Sequence, residues 1–578
     1  MKTVLTNGKI YIERGAFCEA LLIEDGIIRM TGTNEEVLAG AGCDSAAGAG
    51  RDSAVAEGDS AADEAPAVID CAGKTVVPGF NDTHMHLLQF SEFIAGVRTE
   101  DATSIDMLVE RCKDFMAEHQ DRVAHGMHAM GWNQDLFTDE KRMPNRHDLD
   151  RISLEIPIVL ERVCGHIASA NTKAIDLFLA QNGGTVPVIE DGEIELDDAG
   201  YPTGIFKELA VNVIADTIPK YTPEEWHDLV LEGMQYAARH GYTSLQSNDI
   251  GFSGLREEDV FRILKDVRDS GRMAVRYRHQ SAYFTLASFE ESLKNGEYAA
   301  ADEEYDADGS AAPGRDEMPA GPMLTLGPLK LFADGSLGAR TALLGQDYAD
   351  EPGNHGLVWT PLEDLHAYAQ LAGRYGVQII THAIGDQAVR NILDVYEAAD
   401  PTGTNPNRNV INHCQITDRE CLDRIRDGHI LTAVQPIFLE YDIHMAEDRV
   451  GPELASTSYA FGTLVREGVH QSFGTDAPVE DLAPLPNIYT AVTRKDLNCE
   501  PQEGWYPDEC MDIYDAVDCA TIEGAYMEFA EDVKGRLMPG YLADLVILDK
   551  DIFTCPADEI KDAAPVLTMV GGKVVHQR

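Results

Sequence analysis

"VVPGFNDTHMHLLQF", residues 76–90, rises through apolar residues into Pro78-Gly79 and then sets His84 and His86 two residues apart. In a strand successive side chains point to opposite faces, so residues two apart share a side and both imidazoles can aim at one point. Two converging imidazoles suit a metal ion. A lone His-X-His is as readily a surface feature, so the weight falls on what the rest of the chain places beside it.

Seven further β-like segments follow at 242–248, 273–283, 324–333, 377–383, 408–414, 430–436 and 470–476, after a first at 75–84. Most are separated by amphipathic stretches long enough for a helix, such as 223–240 after Thr222-Pro223 and 361–375 after "TPLEDL". Eight strands alternating with helices predict an α/β protein, a (β/α)8 (TIM) barrel, with its reactive residues at the C-terminal strand ends. Residues 1–38 and 542–576 read instead as short alternating strands that pair into one small β-sandwich built from both termini. The reading is therefore a sandwich domain from 1–70 plus 535–578 and a barrel from 71–534. An inserted subdomain at about 128–210 is expected over the barrel mouth, because that stretch far exceeds an ordinary βα connection. Residues 39–66 and 295–321, rich in Ala, Gly, Ser and acidic residues, have almost nothing large to bury and read as acidic surface insertions.

The strand ends carry more than the first histidine pair. "IITHAIGD" places His382, "VINHCQI" places His413 and "SFGTDAPV" places Asp476 where the barrel puts its mouth. Four histidines and one aspartate at predicted strand ends form a ligand set suited to Zn²⁺, with Mn²⁺ or Fe²⁺ as further candidates. Lys330, in "GPLKLFADGSLGARTA", lies within an apolar strand, where an unpaired ammonium is costly. It is either half of a buried pair with Asp334 or Asp476, or an amine that takes up carbon dioxide as a carbamate bridging two ions. A bound Zn²⁺ acidifies water and polarises a carbonyl, and Asp476 is placed to carry the water proton to a leaving group. That chemistry is hydrolysis of an amide or related carbon–nitrogen bond. The alternatives on the same scaffold are a non-catalytic binding or regulatory protein and a metal-dependent isomerase or decarboxylase.

The ordered motifs "PGFNDTHMH", "GPLKLFADGSLG", "THAIGDQAV", "INHCQI", "GTDAPVEDLAPL" and "VKGRLMPGYLADLVILDKD" resemble the amidohydrolase superfamily, in its YtcJ-like, N-substituted formamide deformylase-like branch of metal-dependent hydrolases. The resemblance runs from about residue 3 to the C-terminus. It implies one or two metals per chain, the more buried held by His84, His86 and Asp476 and the second by His382 and His413, with Lys330 at the position that carries a bridging carbamate in many relatives. It also implies a small amide-type substrate met by Trp132 of "GWNQD" and by Arg162, His166 and Asn171 of "RVCGHIASAN", with Glu208 of "AGYPTGIFKE" as a further contact. This chain has Cys164 where the family pattern has an acidic residue. Arg340 and Arg162 are the cations nominated for an anionic substrate, and Asp334 joins the pocket residues. A homodimer is implied by the family alone.

Composition narrows the partners. Acidic residues outnumber basic ones by 99 to 46, for a net charge of −53, and such a surface repels nucleic acid and anionic membranes. No apolar run reaches the roughly 18 residues of a membrane helix, and the N-terminus lacks the apolar core of a secretion signal. The eleven cysteines include no Cys-X-X-Cys pair and read as reduced thiols, which points to a cytoplasmic protein.

Overall fold

A computed structural model describes residues 2–42, 66–120, 122–138, 140–251, 255–296 and 321–578. All but the outermost residues of the two acidic stretches, 39–66 and 295–321, lie outside the described residues. The chain divides into two compact units, one made of Met1–Leu87 with Leu231–Arg578 and one of Leu88–Val230.

In the first unit eight parallel strands form one sheet in sequence order: β1 Phe80–Met85, β2 Tyr242–Ser247, β3 Arg276–Ser281, β4 Leu324–Phe332, β5 Ile379–Ala383, β6 Val410–His413, β7 Leu431–Val434 and β8 Gln471–Phe473. Each coincides with one of the eight segments read from the sequence. The intervening helices bury one stripe: Asp386–Ala399, for example, buries Val389, Ile392, Leu393 and Tyr396. The ends of the sheet meet beyond β8, where the Asp476 N–H donates to the His84 carbonyl and the His86 N–H to the Ala477 carbonyl, both at 2.8 Å. Ser472 Oγ also donates to Thr83 Oγ1 at 3.1 Å. The result is a nearly closed (β/α)8 barrel.

The termini supply two further sheets. One, in the order Ile27–Gly32, Ala20–Glu24, Lys2–Thr6, Ala67–Asp70, faces another in the order Lys573–Gln577, Pro565–Val570, Leu545–Leu548, Thr75–Pro78, Lys9–Glu13, Ala16–Cys18. Leu5, Ile10, Leu21, Ile23, Val76, Leu545, Ile547 and Met569 pack between them as one core.

Residues 75–84 read as one strand but belong to two sheets. Thr75–Pro78 pairs with Leu545–Leu548 and Lys9–Glu13, whereas Phe80–Met85 pairs with β2. The switch falls at Gly79: its N–H donates to Asp544 O in the sandwich at 3.0 Å, and the next N–H, of Phe80, donates to Gly241 O in the barrel at 3.1 Å. A Cβ at Gly79 would lie 2.1 Å from the Thr243 side chain, so the two sheets approach too closely there for any other residue. Asp544 also takes a buried two-pronged ion pair from Arg276, at 2.7 and 2.9 Å, fastening the sandwich to the start of β3.

The second unit is a five-stranded sheet in the order Gly192–Leu196, Pro202–Glu208, Ile167–Ala170, Ile158–Arg162, Met127–Trp132. One core gathers Leu108, Trp132, Phe137 and Leu160, and another Val159, Phe178, Phe206 and Ile214. The stretch 128–210, expected as an insertion, falls within this unit.

Candidate metal centre

His84 and His86 leave the end of β1 two residues apart, and Asp476 follows β8 on the neighbouring edge of the barrel. His84 Nε2 lies 3.3 Å and His86 Nε2 3.2 Å from Asp476 Oδ1, all three residues being buried. Their ligating atoms fall within 4.8 Å of one another.

The protons of this cluster can be counted. His84 Nδ1–H donates to Gln280 Oε1 at 2.7 Å, and Gln280 is oriented by its own Nε2, which donates to Thr83 O at 2.9 Å. His86 Nδ1–H donates to the backbone carbonyl of Asn248 at 2.5 Å. Burial, with the nearby Lys330 ammonium second, pushes the His84 imidazole down to about 4, so at neutral pH its single proton sits on Nδ1. Both Nε2 lone pairs then face a carboxylate oxygen that is itself buried without a hydrogen-bond donor. Three lone-pair atoms turned on one another repel unless a cation lies among them. The donor set therefore fits a divalent metal, with carbonyl acceptors behind each imidazole holding the ring in place.

Asp82 holds the two halves of the set together. Its buried carboxylate accepts from the His84 N–H at 3.1 Å, from the Thr475 N–H at 3.2 Å and from Thr475 Oγ1 at 2.6 Å, tying β1 to the residue before Asp476. Gly474 lets the strands meet, since a Cβ there would lie 2.7 Å from His84 N and 2.9 Å from His84 O. Both contacts are backbone and cannot rotate away. Gly474→Ala is expected to lower stability by about 2–3 kcal/mol and to weaken metal retention; denaturant unfolding with metal analysis checks this, and a wild-type midpoint would refute the close approach.

The remaining predicted ligands lie in the same region. Lys330 Nζ is 3.5 Å from His84 Nε2, and burial pushes the amine down to about 7. Among the described residues no carboxylate forms an ion pair with it. The His413 ring centroid is 5.6 Å from that of His84 and 4.5 Å from that of His382. His413 Nδ1–H donates to Gln435 Oε1 at 2.8 Å, and His382 Nε2–H to Gly335 O at 3.1 Å. Burial is the main cause holding both imidazoles below the usual histidine range, His382 at about 3. His84, His86 and Asp476 converge as a three-donor site, while Lys330, His382 and His413 line its other side.

Sequence reasoning passed over Gln280, Asn248, Gln435, Asp82 and Asn412. The Asn412 side-chain N–H donates to His413 Nε2 at 2.8 Å, complementing the His413 Nδ1–H that goes to Gln435, and its oxygen accepts from Gln435 Nε2 at 3.3 Å. Strict alternation would send Asn412 and His413 to opposite faces, but His413 has φ +72°, which breaks it. Asp476, at φ +58°, is held in the same sparsely populated region. The available signal was polar residues inside otherwise apolar strand ends, as in "RHQS" and "VINHC".

The nominated substrate residues are placed as follows. Trp132 is fully buried in the core of the second unit, its indole N–H donating to Leu160 O at 2.8 Å. Asn171 is a buried helix cap, accepting from the Ala174 N–H at 2.9 Å. Arg162 donates to Gln134, Asn133 and Asp135, and exposed His166 meets Glu208 at 2.9 Å. Asp334 accepts backbone N–H groups from Leu343, Ile384 and Gly385 at 2.8–3.0 Å, and Arg340 pairs with Asp350 and Glu351.

A parallel barrel with imidazole and carboxylate donors gathered at its C-terminal strand ends defines a class, the metal-dependent barrel enzymes. Residues 67–576 match the model of the amidohydrolase family, and the chain belongs to that family. It is similar to "Putative amidohydrolase YtcJ" of Bacillus subtilis (strain 168), 27% identical with all of both chains covered. It is also similar to "N-substituted formamide deformylase" of Arthrobacter pascens, 24% identical over 98% of this chain and 96% of that one. A crystal structure of a metal-dependent hydrolase from Pyrococcus horikoshii OT3 superposes with a TM-score of 0.71 at 26% identity, covering 96% of this chain and 99% of that one. This chain is accordingly a metal-dependent hydrolase of carbon–nitrogen bonds. Among the described residues no helix is long and apolar enough to cross a membrane.

Proposed function

We propose that this protein hydrolyses a small amide-type molecule with a divalent metal held by His84, His86 and Asp476, and that Asp476 carries the proton. The observation that supports it is the convergence of the His84 and His86 Nε2 atoms on Asp476 Oδ1, at 3.3 and 3.2 Å, with the ligating atoms of all three residues within 4.8 Å of one another. Nitrogen and carboxylate donors in this number suit Zn²⁺ first and Mn²⁺ or Fe²⁺ next. Such an ion supplies Lewis acidity, polarising a carbonyl and acidifying water. The chain's residues do the rest: Gln280 and the Asn248 carbonyl fix the imidazoles, and Asp476 takes a proton from the attacking water and delivers it to the departing nitrogen. Lys330, His382 and His413 form the second half of the centre. Burial brings the Lys330 amine to about 7, so its neutral form is accessible near neutral pH, and a carboxylated Lys330 would join His382 and His413 as a further metal donor. The ten described cysteines are all free thiols, in keeping with a cytoplasmic setting.

Chelator dialysis is expected to abolish turnover, and Zn²⁺ or Mn²⁺ to restore it. The assay takes metal-loaded protein through N-acyl amino acids, N-substituted formamides and cyclic amides, with metal content read by mass spectrometry. Silence across that panel by fully loaded protein sinks the proposal.

A further inference from the structure

We propose that Cys499 and Lys561 are an oxidative modification site, which closes into a covalent Nζ–O–Sγ bridge with dioxygen as the oxidant. Lys561 Nζ lies 2.8 Å from Cys499 Sγ. N–H···O bonds span about 2.7–3.2 Å, and sulfur is larger than oxygen, so this nitrogen and sulfur stand closer than an ordinary hydrogen bond between them requires. One intervening atom fits the gap.

Both partners are held in register by separate elements. Cys499 sits at φ +67° in a tight turn, its N–H donating to Asp496 O at 2.9 Å, while Asp496 Oδ1 accepts the N–H groups of Asn498 and Glu500. Lys561 lies in the short helix Ala557–Asp562, its nitrogen 4.7 Å over the Tyr489 ring. Tyr489 OH donates to Asp496 O at 2.9 Å, so one side chain fixes both halves. Lys561 forms no ion pair with a carboxylate among the described residues, which leaves the sulfur as the polar partner of its nitrogen. Both residues are partly exposed and open to a dissolved oxidant. Of the other nine described thiols, Cys18 and Cys421 turn to backbone carbonyls, Cys71, Cys112, Cys414 and Cys519 are buried, and Cys164, Cys510 and Cys555 are at least partly exposed, so it is the lysine contact that distinguishes Cys499.

The step balances from the thiol and the neutral amine. The O=O bond breaks, an S–O and an N–O bond form, and the Sγ hydrogen and one Nζ hydrogen leave with the second oxygen atom as water. Sulfur and nitrogen each give up two electrons. The bridge then joins the turn around Cys499 to the C-terminal segment.

The test is peptide mapping of the full-length protein, aerated and then split into samples with and without dithiothreitol. The expected product is one cross-linked peptide pair carrying Cys499 and Lys561, heavier by one oxygen and lighter by two hydrogens than the separate peptides, lost on reduction. It disappears in Cys499→Ser and in Lys561→Arg, both of which keep the wild-type circular dichroism and hydrolytic turnover. Two unlinked peptides after prolonged aeration would overturn the proposal, as would a link lacking the added oxygen or one that persists in Lys561→Arg.

Discussion

Asp476→Asn is expected to keep the fold and most of the bound metal while losing turnover by roughly three to four orders of magnitude, the upper range for a positioned proton carrier. The two side chains are nearly the same size, and the carboxamide oxygen can still occupy the place of Oδ1 beside His84 and His86, 3.3 and 3.2 Å away. What the amide cannot do is accept a proton from water at neutral pH. The residue is buried and follows directly on the Thr475–Asp82 contacts, so its position comes from the backbone closure between β8 and β1 and survives the change. Metal content by mass spectrometry and turnover on the best substrate of the panel are measured on the same preparation. Turnover within tenfold of wild type, at full metal occupancy, would assign the proton to another group.

The second large effect is on metal binding. His86→Ala removes one of three converging donors, and His84→Ala also empties a position packed against Lys330 and the Asn412 amide. Loss of a hydrogen-bonded partner behind a ligand typically costs 10–100-fold in metal affinity, so loss of a ligand itself is expected to exceed about 100-fold. Gln280→Ala, which takes away only the acceptor for His84 Nδ1–H at 2.7 Å, should fall within that smaller range. Zn²⁺ raises the unfolding midpoint of the wild type because it binds the folded chain, and in His84→Ala and His86→Ala the rise disappears. Equal Zn²⁺-dependent shifts in wild type and both variants would place the ion elsewhere.

Much of this architecture is legible in the residues because the signals are local. Periodicity two in the strands and periodicity near four in helices such as Asp386–Ala399 arise from which side chains each element can bury, and the eight barrel strands appear where that pattern repeats. His84, His86, His382, His413 and Asp476 stand out because titratable side chains at the ends of apolar strands are costly without a partner. The single strand read over 75–84 shows where such a pattern runs short: apolar residues on both sides of Gly79 look continuous. The acceptors that separate them, Asp544 O and Gly241 O, come from positions remote in the chain.

Asn412 makes the same point within the site. The sequence places it beside His413, and strict alternation would send the two to opposite faces. Asn412 stands in register with His382 and so shares its face, and the φ +72° of His413 lets the histidine reach that same side. Trp132 and Asn171 carry recognisable motifs, yet their polar atoms are satisfied by Leu160 O and by a helix N-terminus, partners no motif reveals.

The residue order was thus sufficient for the barrel, the terminal sandwich, the family and the candidate donors His84, His86 and Asp476, since these follow from burial pattern and donor chemistry carried by each short segment. Which nitrogen of each imidazole keeps its proton, how Asp82 and Gly474 bring β1 against β8, and which polar residues support the ligands were settled in three dimensions. Those depend on hydrogen-bond acceptors and close backbone contacts supplied from hundreds of residues away, and such geometry exists only once the cylinder has closed.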